Sequence, residues 1–159
     1  MKATDVLVSQ HAFLRGVFAV IERELYRAES LEEVKTIARL VEGFKRSHLE
    51  GEESFLFQPL DALLRERGQT SHLYEQHKEH AALLKQVQTA PNIAEARSNL
   101  LLALRILRAH FKEEERVVLP TALAAFQPES LETLGKTWLE HAVLHISHDL
   151  AAPTAHPQV

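Results

Sequence analysis

The chain has 159 residues, a formal net charge of −4 with histidine neutral, 45% hydrophobic and 25% charged residues, and no cysteine. That length supports one domain with a real core, and the missing thiol excludes disulfides, thiolate zinc sites, iron–sulfur clusters and a cysteine nucleophile. A mildly acidic balance without a basic block gives nucleic acid no electrostatic footprint, and no apolar run reaches signal-peptide or membrane-span length, so a cytoplasmic protein is expected.

Leucine and alanine far outnumber valine and isoleucine, and glycine and proline are scarce, so helix formers dominate and an all-β sandwich is disfavoured. Helical spacing of apolar residues divides the chain into five helices. The first is expected from Asp5 to Arg27, with Leu7, Leu14, Phe18, Ile21 and Leu25 on one face. The second opens at Ser30, with Glu33 in capping-box register, and runs to about Phe57, where Pro59 interrupts the hydrogen-bond ladder. A short stretch from Leu60 to Arg67 follows and ends at Gly68.

Helix three is expected from Thr70 or Ser71 to about Val87, before the turn-like Thr-Ala-Pro-Asn. Asn92 and Glu95 cap helix four, which stops at Pro120, and Ser130 starts helix five, which runs to about Leu150. Four long helices with short connections predict an all-α, up-down-up-down four-helix bundle over about residues 5–120, with an additional C-terminal helix over about 129–150. Residues 1–150 are read as a single domain and 151–159 as a disordered tail.

Ten histidines are the feature that composition leaves unexplained. His48-Leu-Glu-Gly-Glu52-Glu53 and His110-Phe-Lys-Glu-Glu114-Glu115 share the pattern H-x3-E-E, each followed by apolar residues and a proline. Gln10-His11-Ala-Phe-Leu14 and Glu79-His80-Ala-Ala-Leu83 lie one helix upstream of each. The chain thus reads as a duplicated helix pair. Spacing of four residues puts His48 above Glu52, and His110 above Glu114, on one helix face. These pairs fall inside apolar seams, Val41-Phe44-His48-Glu52-Phe55 and Ala103-Leu107-His110-Glu114-Val117. His11 falls between Leu7 and Leu14, and His77 and His80 continue a seam from Leu73 to Leu84.

A lone inward histidine is ordinarily a hydrogen-bonded core residue. Five imidazoles and two carboxylates together cannot be buried so simply, because buried charges need pairing or a metal, and no lysine or arginine is expected on these seams. Nitrogen and oxygen ligands in that number suit two six-coordinate ions bridged by carboxylates, with iron favoured and manganese or zinc the alternatives. The Glu-x-x-His pairs of ferritin-like di-iron bundles are missing.

Over roughly Ser9 to Pro120 these residues resemble the hemerythrin-like proteins with an HHE cation-binding domain. The resemblance rests on a histidine in helix one, H-x3-E-E with a proline in helices two and four, and a histidine in helix three. It implies a four-helix bundle enclosing a non-haem di-iron centre bridged by two carboxylates and an oxo or hydroxo group. His11, His48, Glu52, His110 and Glu114 match the ligand pattern, and His77 and His80 are both expected as ligands from helix three. The oxygen-carrying hemerythrins space their helix-three histidines by four and end on H-x4-D, whereas this chain has a spacing of three and H-x3-E, which places it with the broader HHE group.

The resemblance implies binding or sensing of dioxygen or a related diatomic such as nitric oxide. The alternative is an oxidoreductase or iron donor acting in nitric-oxide or oxidative-stress responses, with electrons from a partner the sequence does not name. Either a monomer or a homodimer is compatible, and membrane and nucleic acid are not expected partners.

Outside the seams, Glu50, Glu53, Glu113 and Glu115 read as a solvated face, though Glu53 and Glu115 can orient ligand histidines. Gly51 leaves room for a ligand channel or for close helix packing. Tyr74 is read as packing. In helix five, Leu139, Val143, Ile146 and Leu150 share one face, which places His141, His145 and His148 toward solvent. His72 and His156 receive no role.

Overall fold

The computed structural model describes residues 1–64 and 70–151, with side chains through residue 142. Among these residues the chain is helical with no strand: α1 (Ala3–Arg27), α2 (Leu31–Glu52), a π-helical turn (Glu53–Phe57), α3 (Gln58–Leu64), α4 (Ser71–Thr89), α5 (Ile93–Ala125) and α6 (Pro128–Ala151). The expected stop at Gly68, the tail from 152 and His156 lie outside the described residues.

Local chemistry accounts for the helix starts. Ser30 Oγ accepts the Glu33 N–H at 3.2 Å, and the Glu33 carboxylate accepts the backbone N–H of Glu29 and Ser30 at 2.7 and 3.1 Å. The Asn92 side chain accepts the Glu95 N–H at 2.9 Å. At the start of α1, Asp5 accepts the Lys2 N–H, so the helix begins two residues ahead of the expected position. The Glu33 and Glu95 bonds satisfy donors that the first helical turn leaves without a partner, and the Asp5 and Glu33 carboxylates bind the N–H groups just ahead of it.

The two prolines expected to end helices do not. α5 runs through Pro120 to Ala125, with Thr121 Oγ1 donating to the Val117 carbonyl at 2.7 Å. At Pro59 the chain also stays helical, because the backbone widens first: the Gln58 N–H bonds the carbonyl of Glu53, five residues back. This extra residue rotates everything after Glu52 by about 100° relative to a continuous α-helix. Leu56, Phe57 and Leu60 are therefore buried where the sequence pattern points to Phe55, which is only half-buried.

α1, α2, α4 and α5 form a four-helix bundle, α4 against α5 and α2, α1 against α5 and α2, and α6 lies across α1, α2 and the π turn. This is the expected hemerythrin-like helical bundle with an added C-terminal helix. Two apolar clusters fill it. Leu14, Phe18, Leu25, Val34, Leu84, Leu100 and Phe111 belong to one, and Leu7, Leu56, Phe57, Leu73, Val118 and Trp138 to the other. On every bundle helix the histidines and carboxylates lie between the two, so the fold itself confines them to one polar layer. No helix among the described residues is long and apolar enough to cross a membrane.

α6 corrects a further expectation. Trp138 is buried, Leu139 is exposed, and His141 is half-buried with its ring 5.3 Å from Phe55. The docking face is thus rotated from the one the periodicity suggested, drawn round by the Trp138 indole lying against Gly51, where a Cβ would overlap it. Close helix packing, not a channel, explains that glycine.

Candidate metal centre

His11, His48, Glu52, His77, His80, His110 and Glu114 are all buried, Glu52 and Glu114 completely. Six of them form two overlapping groups. His11, His48, Glu52 and Glu114 bring ligand atoms within 4.8 Å of one another, and so do Glu52, His77, His110 and Glu114. Both carboxylates belong to both groups, so Glu52 and Glu114 are common to two sets of residues that could each hold a cation. His80 stands outside both, since three residues carry it about 300° around α4 from His77.

A second set of contacts fixes the ring orientations. His11 Nδ1 donates to Glu115 Oε1 at 2.9 Å, His48 Nδ1 to Gln10 Oε1 at 2.7 Å, His77 Nδ1 to Glu53 Oε1 at 2.6 Å, and His110 Nδ1 to Gln76 Oε1 at 2.6 Å. The Gln76 amide is held the right way round because its Nε2 donates to Glu113 at 2.9 Å. Arg15 adds a 2.8 Å bond to Glu115. With the proton on Nδ1, a neutral imidazole keeps a lone pair on Nε2. All four histidines thus turn Nε2 toward the centre, where a neutral ring can offer its lone pair to a metal.

What faces those nitrogens suits a cation. His77 Nε2 and His110 Nε2 lie 2.9 Å apart, two lone pairs that repel unless a proton or metal ion is shared. Glu114 Oε1 and Oε2 lie 3.0 Å from His110 Nε2 and 3.1 Å from His11 Nε2, yet neither oxygen has hydrogen-bond direction to a partner, and Glu52 Oε2 and His48 Nε2 are likewise orphaned. Buried polar atoms in that state are costly. Gathered in two groups with ligand atoms within 4.8 Å of one another, they suit a metal.

The electrostatics agree. Burial would lower the His11 pKa, but the adjacent Glu114 and Glu52 carboxylates outweigh it and raise it to about 9. The two carboxylates pull a positive charge onto the centre. Glu52 is raised by burial, but His48 and His11 prevail and hold it well below the usual carboxylate range. Burial lowers His77, against the opposing bond to Glu53, and lowers His80 to about 3, aided by the charge of His110, Lys45 and His77.

Several residues stand differently from their sequence reading. Glu53 and Glu115 are only 34% and 28% exposed and serve as hydrogen-bond acceptors for ligand-candidate histidines. Gln10 and Gln76 were not legible as site residues. Their signal is the dipeptide Gln-His, which occurs at both 10–11 and 76–77. The duplication therefore pairs His11 with His77, not with His80. Phe44 is exposed, and the seam position belongs to Lys45, which is buried, so a lysine does occupy this face. His72 bonds Glu113 at 3.1 Å at the surface. Tyr74 packs edge-on against Phe57 and is raised to about 12 by burial and by Asp61 and Glu53.

No curated protein and no solved structure matches the chain. The family profile described as the hemerythrin HHE cation-binding domain matches residues 2–122, which spans α1 to α5 and stops short of α6. With that match over about three quarters of the chain, and the histidines and glutamates of the bundle gathered where a cation would sit, this protein belongs to the hemerythrin HHE cation-binding domain family.

Proposed function

We propose that the centre holds two non-haem iron ions, His11 and His48 ligating one, His77 and His110 the other, and Glu52 and Glu114 bridging them. Manganese and zinc are accepted by the same donor types. The observation that carries this reading is the pair of overlapping four-residue groups sharing both carboxylates. Bound there, iron supplies redox chemistry and an open coordination position for dioxygen or a related diatomic. The residues of the chain do the rest. Glu115, Gln10, Glu53 and Gln76 fix each imidazole ring, and the apolar layers on both sides exclude water.

We read the protein as one that binds or senses such a ligand, with turnover of nitric oxide or peroxide, or iron donation, as the second reading. Iron content per chain, measured on protein purified without a histidine tag or chelator, tests the first step. Two ions per chain, lost in a His48→Ala, His110→Ala double variant, is the expected result. A folded protein that takes up no metal would overturn it. Reversible binding of dioxygen by the reduced protein then separates a carrier or sensor from an enzyme, which would consume its ligand.

A further inference from the structure

The centre is built on an internal two-fold relation that extends to individual hydrogen bonds. Gln10, His11, His48, Glu52 and Glu53 correspond to Gln76, His77, His110, Glu114 and Glu115, and Gln10 holds His48 as Gln76 holds His110. The relation fails one step further out. Gln76 Nε2 donates to Glu113 Oε2 at 2.9 Å, and His72 Nε2 to Glu113 Oε1 at 3.1 Å, so three hydrogen bonds join the buried His110 ring to a surface imidazole. The place equivalent to Glu113 holds Gly51, covered by the Trp138 indole of α6, and the place equivalent to His72 holds the buried Val6. Among the described residues, only one of the two related amides continues outward as a side-chain network.

That network surfaces beside α5, and a second one surfaces on the other flank of the same helix. There His11 Nδ1 donates to Glu115 at 2.9 Å and Arg15 to the same oxygen at 2.8 Å, both outer residues being partly exposed. At about 100° per residue, Glu113 and Glu115 leave α5 about 160° apart across its outer face, and Arg105, Lys112 and Arg116 form a stripe midway between them. These three are exposed, and among the described residues none has a carboxylate within ion-pair distance, whereas Arg108 beside them is bonded to Glu22. From Ala96 to Ala125 the helix has no carboxylate besides Glu113, Glu114 and Glu115, of which Glu114 is buried and the others are held by Gln76, His72, His11 and Arg15. Three uncompensated cations on one face of a chain with a net charge of −4 fit a partner that presents carboxylates.

We propose that the outer face of α5 docks an acidic one-electron redox protein, with Arg105, Lys112 and Arg116 meeting its carboxylates and the Glu113 and Gln76 side chains coupling it to His110. The proposal rests on the iron reading given above, and it adds the chemistry of the electron donor and its point of entry. The chain has no thiol of its own to reduce the ions, so electrons enter from outside. At each encounter the partner is oxidised by one electron and one ferric ion becomes ferrous, so two encounters reduce the pair. Hydrogen bonds in a chain polarise one another, and a donor seated over Glu113 is thus coupled to the His110 ring through bonds instead of across an apolar gap.

The probe is an acidic plant-type ferredoxin. Its association with the iron-loaded protein is measured by surface plasmon resonance at low ionic strength, and reduction of the oxidised protein by reduced ferredoxin is followed by stopped-flow absorption, with iron content determined on every sample. The expected result is binding that weakens as salt is added, with association and reduction both slowed by about tenfold or more in a Lys112→Glu, Arg116→Glu double variant. A Lys85→Glu, Arg46→Glu double variant, which makes the same charge change at exposed positions of α4 and α2, should alter neither. Equal losses in the two variants would overturn the proposal by reducing the effect to net charge. So would no loss in either, or tighter binding of a short DNA duplex of random sequence, which would make the stripe a phosphate-binding surface. If the wild-type protein takes up no iron, the dinuclear reading falls, while association with ferredoxin still reports on the surface; normal iron content with no ferredoxin bound condemns the docking face alone.

Discussion

Each ring that faces the centre is held from behind by one oxygen, and these oxygens are of two kinds. His11 and His77 donate to carboxylates, Glu115 and Glu53, while His48 and His110 donate to amides, Gln10 and Gln76. A carboxylate behind an imidazole raises its basicity as well as fixing its tautomer, so each of the two groups contains one strongly and one weakly polarised nitrogen. Replacing Glu53 or Glu115 by alanine should reduce metal affinity by about 10- to 100-fold without unfolding the bundle. Competition with a chelator, alongside helical circular dichroism, measures both quantities; an unaltered affinity would make these glutamates mere surface partners. At this scale the ligand candidates were legible, because H-x3-E on an apolar seam places both groups on one buried face. The glutamines were not. An amide beside a histidine has no periodicity of its own, and aligning Glu79-His80 with Gln10-His11 drew the repeat to the wrong residue; Glu79 is exposed.

Elements were legible where a local rule dictates them and illegible where packing overrides one. The Ser30 and Glu33 capping box was readable because side chains alone build it. The π turn was not, since nothing in Glu53-Ser-Phe-Leu-Phe57 distinguishes it from α-helix until Leu56, Phe57 and Leu60 are seen to fill the space beside Leu7, Leu73 and Trp138. Pro120 misled for the same reason: removing one N–H weakens a helix, but Val118 and Ala122, on either side, are buried in the core and hold it. The cap also yields a pH dependence. Bonds from the Glu29 and Ser30 backbone N–H groups hold the Glu33 carboxyl below its ordinary value of 4.5. A group depressed on folding contributes its stability above its unfolded pKa and loses it as pH falls through the folded one. Glu33→Gln should therefore lower stability at neutral pH and converge with the wild type in acid below 4.5. Urea denaturation at several pH values checks the sign; a constant difference across that window would mean the charge has no part in the cap.

At the scale of the molecule, the unusual element is α6, which begins beyond the stretch that the family profile matches. Among its described side chains, Trp138 and His141 meet the π turn. Trp138 lies against Gly51, the residue before Glu52, and stacks at 6.3 Å with Phe55 of the π turn. The missing Cβ of Gly51 is what allows the indole to sit there, so the helix that carries Glu52 is shaped to receive α6. Glycine in a helix interior costs about 1 kcal/mol relative to alanine, and at an exposed site Gly51→Ala would be stabilising. Here the sign should reverse. The added methyl would collide with a buried indole at the helix backbone, and overpacking of this kind destabilises by about 1–3 kcal/mol. Because Trp138 is the only tryptophan in the chain, its fluorescence reports the event directly. Gly51→Ala should shift the emission to longer wavelength as the indole meets water and lower the urea midpoint. If α6 supports Glu52 through this contact, iron affinity should fall in the same variant, whereas a red shift with undiminished iron binding would show that the bundle holds its carboxylates without the sixth helix.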